Sequence, residues 1–180
     1  MTSSNSKREI LGWGKSLLIA VGVTVVIRTF LFSPYMVEGA SMEPTLHNQE
    51  KIFVNKMNYV TSFNRGDVVI IKGPTENYVK RIIGTPGDQL EMNDDELLIN
   101  GVPVKESYLT ENRKDAEKRG SLLTGDFGPI IVPAKHYFVM GDNRLKSMDS
   151  RNGLDFIKET AIVGKSEFVI FPFSNIRNVK

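Results

Sequence analysis

Two regimes of hydrophobic patterning divide the chain. From Leu11 to Phe32 the residues are almost all apolar or small, a stretch of 22 positions. As a helix this stretch would be about 33 Å long, which matches the hydrocarbon core of a bilayer. Lys15 and Arg28 bracket an uncharged centre, Ser16 to Ile27, and each lies close enough to an end to snorkel. Trp13 on one side, and Phe30 and Phe32 on the other, suit the two interfaces. A cleavable leader would share the basic start and short apolar centre. Arg28 and the bulky residues after it, with no Ala-x-Ala site, favour an uncleaved transmembrane anchor. The remaining alternative is a buried helix of a soluble protein.

Beyond Pro34 the pattern shortens. Tyr35 to Glu38, Ile52 to Asn55, Val68 to Ile71 and Tyr78 to Ile83 are brief β-branched or aromatic runs that predict strands. Turn signals separate them: Asn64-Arg65-Gly66-Asp67, Gly73-Pro74 and Thr85-Pro86-Gly87-Asp88. Glu96 to Val104 reads as a hairpin, with Asn100-Gly101 supplying positive φ at its turn. Ile130 to Val132, Tyr137 to Met140 and Glu167 to Phe171 predict further strands. Asp155 to Thr160 predicts a short helix, and the polar stretch from Ser107 to Gly128 a surface excursion with one helical turn. The expected architecture is mainly β: one antiparallel, barrel-like domain after one N-terminal transmembrane helix.

Composition narrows the function. The chain carries a formal net charge of +2 over 180 residues. Lys7, Arg8, Lys15 and Arg28 against Glu9 place +3 on the first 33 residues, so the rest carries −1. The β domain therefore has no electrostatic case for binding nucleic acid. The basic residues before the apolar stretch predict a cytoplasmic N-terminus (1–10), an anchor (11–32) and an extracytoplasmic domain (33–180) in the cell membrane. With no cysteine, thiolate catalysis and Cys-based zinc sites are excluded. His47 and His136 are isolated, and no metal or other cofactor is expected.

Chemistry is left to serine and lysine. Ser41 stands in Gly39-Ala40-Ser41-Met42-Glu43-Pro44, where Gly39 permits unusual dihedrals and Pro44 stiffens the turn. Such a turn can project a hydroxyl and gather backbone N–H groups for an oxyanion. Lys80 follows 39 residues later, in Tyr78-Val79-Lys80-Arg81-Ile82. On a strand it shares a face with Tyr78 and Ile82, and burial there would lower its pKa towards that of a working base. Gly141-Asp142-Asn143-Arg144, running through Ser147, Asp149, Ser150 and Arg151, offers ion pairs that could fix a loop, and a hydroxyl that could orient an amine. Taken singly, each feature also suits an ordinary turn, an exposed strand or a solvated loop. No Gly-x-Ser-x-Gly elbow or phosphate-binding loop is present.

These motifs, in this order and spacing, resemble the bacterial type I signal peptidases, especially the short Gram-positive forms. The resemblance spans the anchor, Ser41 to Leu46, Arg65 to Val69, Tyr78 to Gly84 with Pro86-Gly87-Asp88, and Gly141 to Arg151. It implies a membrane-bound serine endopeptidase that removes signal peptides from secretory preproteins after small residues (Ala-x-Ala). It also implies Ser41 as nucleophile and neutral Lys80 as general base. Ser147 would hydrogen-bond the lysine; Asp149 with Arg151, and Arg81 with Asp142, would form ion pairs. Gly39 stands where some relatives place a serine hydroxyl for the oxyanion. Tyr35, Val37 and Tyr78 would line the substrate cleft beside membrane lipid. A self-cleaving Ser/Lys protease of repressor type, and a non-catalytic membrane-anchored peptide-binding module, are the rival readings.

Overall fold

The computed structural model describes residues 3–26, 32–56 and 62–179. Helix α1 (Ser3–Val26) precedes twelve strands: β1 (Phe32–Met36), β2 (Lys51–Asn55), β3 (Val68–Lys72), β4 (Asn77–Gly84), β5 (Gln89–Asn93), β6 (Glu96–Ile99), β7 (Val102–Val104), β8 (Phe127–Ile131), β9 (His136–Met140), β10 (Ile157–Lys158), β11 (Ile162–Phe171) and β12 (Arg177–Asn178). A second helix, α2 (Thr110–Lys118), lies between β7 and β8. All strand pairs are antiparallel. One sheet runs β1-β2-β11-β3-β4-β9-β10, with β12 added against β11; the other runs β7-β6-β5-β8. No pairing among the described strands joins β1 to β10, so the large sheet is open and not a closed barrel.

The expected strands around 52, 68, 78 and 137 form where β-branched residues cluster. The Asn100-Gly101 hairpin closes with φ of 55° and 77° at its two turn residues. The short helix expected over 155–160 does not form. Asp155 has φ 52°, Ile157 and Lys158 make β10 against β9, and only Glu159–Ala161 wind into a 3-10 turn. Strand β1 begins three residues before its expected start and ends at Met36.

Strand β3 is buried on both faces, as its unbroken Val68-Val69-Ile70-Ile71 run requires. Val68 and Ile70 pack with Met42, Leu46, Ile52 and Val54, while Val69 and Ile71 pack with Ile82, Tyr137 and Val139. A third cluster, including Ile83, Leu90, Leu97 and Phe138, joins the small sheet to the large one.

Residues 12–25 of α1 are all exposed. No helix among the described residues is long and apolar enough to cross a membrane. Part of the expected span, residues 27–31, lies outside the described residues.

Candidate active site

Ser41 sits in the turn after β1. Met42 and Leu46 lie four residues apart, joined by a Leu46 N–H to Met42 O hydrogen bond of 3.0 Å. Both side chains are buried under the turn with Val37, Val68 and Ile70. Each contributes about 1.5–3 kcal/mol of burial, and with the apolar neighbours facing inwards the serine is left at the surface of the turn.

Lys80 lies in β4 and is only 3% exposed. Its Nζ is 2.9 Å from Ser41 Oγ, the contact of a donor and an acceptor. Burial is the main cause that pushes the amine down to about 8 from an ordinary 10.5. Asp149 opposes that effect, Arg151 reinforces it, and Asp142 and Glu76 oppose it more weakly. Two ion pairs keep the surrounding charge nearly balanced. Arg151 forks onto Asp149 with two bonds of 2.8 Å, and Arg81 forks onto the fully buried Asp142 at 2.9 and 2.7 Å. Burial alone would raise the Asp149 carboxyl, but the Arg151 guanidinium and the Gly141 N–H hold it below the usual range.

The loop after β9 grips the Ser41 turn. Asn143 donates its backbone N–H to Ser41 O and its side-chain amide to Ala40 O, both at 3.0 Å. Thr45 donates its hydroxyl to Asp142. Gly141 makes this approach possible, because a Cβ there would lie 2.4 Å from Ser41 O and 2.3 Å from Ser147 Oγ. The loop is held in turn by a buried Arg144–Glu106 ion pair reaching from the segment after β7, and Arg151 donates to Arg144 O. On the other flank Arg177 spans Thr45 O and the Glu50 carboxylate.

The two expected ion pairs are thus formed. The expected Ser147–Lys80 hydrogen bond is not: Ser147 Oγ is buried without a hydrogen-bond partner. Its hydroxyl adds to the depression of the Asp149 pKa although it meets no acceptor at full hydrogen-bond geometry. Gly39 has φ 84°, which favours glycine, and its N–H is taken by Asn48 Oδ1 at 2.9 Å. It therefore has no N–H to offer an oxyanion. Thr45 and Asn143 fall inside the motifs named above but carry no role there; Glu106 and Arg177 stand in polar stretches, and nothing in such stretches signals a place in the site.

A cleft of 290 Å3 opens over the Ser41–Lys80 pair, lined by Tyr35, Met36 and Glu38 on one wall and Glu76 to Lys80 on the other. Both walls are strand edges. β1 is paired only with β2, and β9 joins β4 only from Arg81 onwards, so main-chain groups of both face the gap. Tyr35 and Tyr78 line it as expected, but Val37 does not: it is 2% exposed, in the core beneath. A larger cavity of 650 Å3 between the β6–β7 hairpin and α2 shares no residue with this cleft and holds none of the chemistry. Among the described residues no acidic or histidine cluster could hold a metal ion.

The site thus sets a serine hydroxyl against a buried lysine amine in a cleft between two strand edges. The signal peptidase, peptidase S26, family matches residues 10–171, and this chain belongs to it. It is 57% identical to signal peptidase I T of Bacillus subtilis (strain 168), over 99% of this chain and 94% of that protein. It is 58% identical to a signal peptidase I of Bacillus amyloliquefaciens, over 93% and 89%. A crystal structure of a signal peptidase I from Enterococcus faecalis V583 superposes with a TM-score of 0.54 at 34% identity, covering 59% of this chain and 97% of that one.

Proposed function

We propose that this chain, a signal peptidase I, cleaves signal peptides from secretory preproteins with Ser41 as nucleophile and Lys80 as general base. One observation carries the assignment: the 2.9 Å contact between a buried amine and a hydroxyl at the floor of a peptide-sized cleft. With a pKa of about 8, about one Lys80 in ten is neutral at pH 7, against about one in three thousand for a free lysine. In that neutral form the hydrogen bond reverses, and Ser41 donates to Nζ. Lys80 takes the proton as Oγ attacks the scissile carbonyl, and the Ser41 N–H stabilises the oxyanion. Collapse breaks the C–N bond, and Lys80 returns the proton to the leaving amine. Water, activated by the same amine, then frees the acyl enzyme.

The substrate is read as an extended segment that adds as a strand between the free edges of β1 and β4. Main-chain pairing tolerates varied sequence. The narrow cleft favours small residues, as in Ala-x-Ala.

The membrane location rests on α1. Its Trp13, Leu17, Leu18, Ile19, Val21, Val23 and Val25 have no protein cover, an apolar surface that lipid would cover. Lys7 and Arg8, near its N-terminal end and before these apolar residues, favour a cytoplasmic N-terminus, with the β domain outside. An anchor of this kind would hold enzyme and preprotein in one plane.

The test is cleavage of an Ala-x-Ala preprotein by the full chain in detergent micelles. Ser41→Ala should lose at least about 1000-fold in kcat. Turnover by that variant at the unmodified rate would end the assignment.

A further inference from the structure

Asn112 lies in α2, a helix that otherwise belongs to the small sheet and its cover. Ala116 of α2 packs with Leu109 and Leu123, and Arg113 binds Asp95 O and Glu106. Glu111, Asn112 and Asp115 face the Ser41 side across a cavity shared with Glu43, Pro44 and His47, and of these Asn112 is the one that hydrogen-bonds across it. Its Nδ2 donates to Glu43 O at 3.0 Å and to Asp142 O at 2.9 Å. Glu43 is two residues past the nucleophile; Asp142 adjoins Asn143, which holds Ser41 O and Ala40 O. One side-chain atom therefore bridges the turn that carries Ser41 and the loop that clamps it.

The chemistry of that bridge is restrictive. Two carbonyl acceptors converge on a single atom, so the atom must donate twice. Only the NH2 end of the amide does so; its oxygen in the same place would be an acceptor facing two acceptors. Aspartate presents no donor, serine has one proton, and glutamine is a methylene too long for the same position.

We propose that Asn112 is a positioning residue for the reaction: it sets the distance between the Ser41 turn and the 141–144 loop, and so places Ser41 Oγ against Lys80. This rests on the assignment of Ser41 as nucleophile. Asn112 hydrogen-bonds neither Lys80 nor any residue lining the cleft over the pair, and does not itself line that cleft. Its loss therefore misplaces the nucleophile and leaves both substrate binding and the amine unchanged. A displacement of about 1 Å is enough for a large loss of rate.

The experiment compares wild type, Asn112→Ala, Asn112→Asp and Ala116→Gly as full chains in detergent, on an Ala-x-Ala preprotein. Ala116→Gly weakens the interior of α2 without touching the bridge and serves as a control matched in stability. The expected result for Asn112→Ala is a fall in kcat of about tenfold or more. KM should stay within twofold, and the acid limb of the pH–rate profile should not move. Asn112→Asp, equal in size, should lose at least as much and decides the matter should the alanine variant not fold. Ala116→Gly should lower the melting temperature and keep kcat within twofold. The proposal is overturned if both Asn112 variants keep kcat within twofold, or if Ala116→Gly loses as much kcat for the same drop in melting temperature. It is equally overturned if the loss appears in KM alone. Ser41→Ala in the same assay separates this from failure of the nucleophile assignment itself, which a fully active Ser41→Ala alone would show.

Discussion

Replacing Lys80 with methionine should abolish cleavage and yet make the folded protein more stable below pH 8. The native amine titrates at about 8, whereas in the unfolded chain it returns to about 10.5. The difference corresponds to about 3 kcal/mol. The sign follows from proton binding: between pH 8 and 10.5 the unfolded chain holds a proton that the native state has released. Stability of the wild type therefore rises with pH across that window, and below pH 8 the whole cost of a charged, dehydrated amine is present. Methionine has a similar length and no charge, so it removes that cost. It also removes the bond to Ser41, worth about 1 kcal/mol. The net gain at pH 6–7 is about 2 kcal/mol, or about 4–8 °C in melting temperature for a chain of this size. Thermal melts of both proteins at one-unit steps from pH 6 to 10 would measure it, since other titrations cancel in the difference. The advantage should shrink steadily above pH 8 and be gone near pH 10. A variant less stable than wild type at pH 7, or one whose difference does not change with pH, would refute the reasoning.

Three further outcomes follow from the same geometry. The rate constant kcat/KM should rise tenfold per pH unit below about pH 8 and level off above it; Glu76→Gln, which removes a carboxylate that favours the charged amine, should move this limb to lower pH. Gly141→Ala should cut kcat by about 100-fold or more, because its Cβ would push on Ser41 O from 2.4 Å; activity within twofold of wild type would show that the turn can yield.

Strands that carry their own burial pattern were legible in the sequence. β3 and β9 are runs of β-branched and aromatic residues, and the β6–β7 turn announces itself through Asn100-Gly101. β5 was not seen. Only Leu90 and Met92 alternate in Gln-Leu-Glu-Met-Asn, and neither is a strong strand former. The first half of β11 was missed because Gly164 interrupts its apolar run. That glycine is needed where Asn55 O would lie 2.3 Å from a Cβ. α2 shows a single buried residue, Ala116, so no helical stripe marks its nine residues. The site divides in the same way. Ser41, Lys80 and the two ion pairs stood out because they lie in ordered motifs. Asn112 and Glu106 did not, since their role comes from carbonyls or a guanidinium brought near by the fold.

The hold on the nucleophile has one more consequence. The 141–144 loop and Asn112 attach to carbonyl oxygens of Ala40, Ser41 and Glu43. Peptide oxygens are the same whatever residue bears them. The exposed neighbours of the serine can therefore change their side chains without disturbing its aim, whereas Met42, locked in the core, cannot.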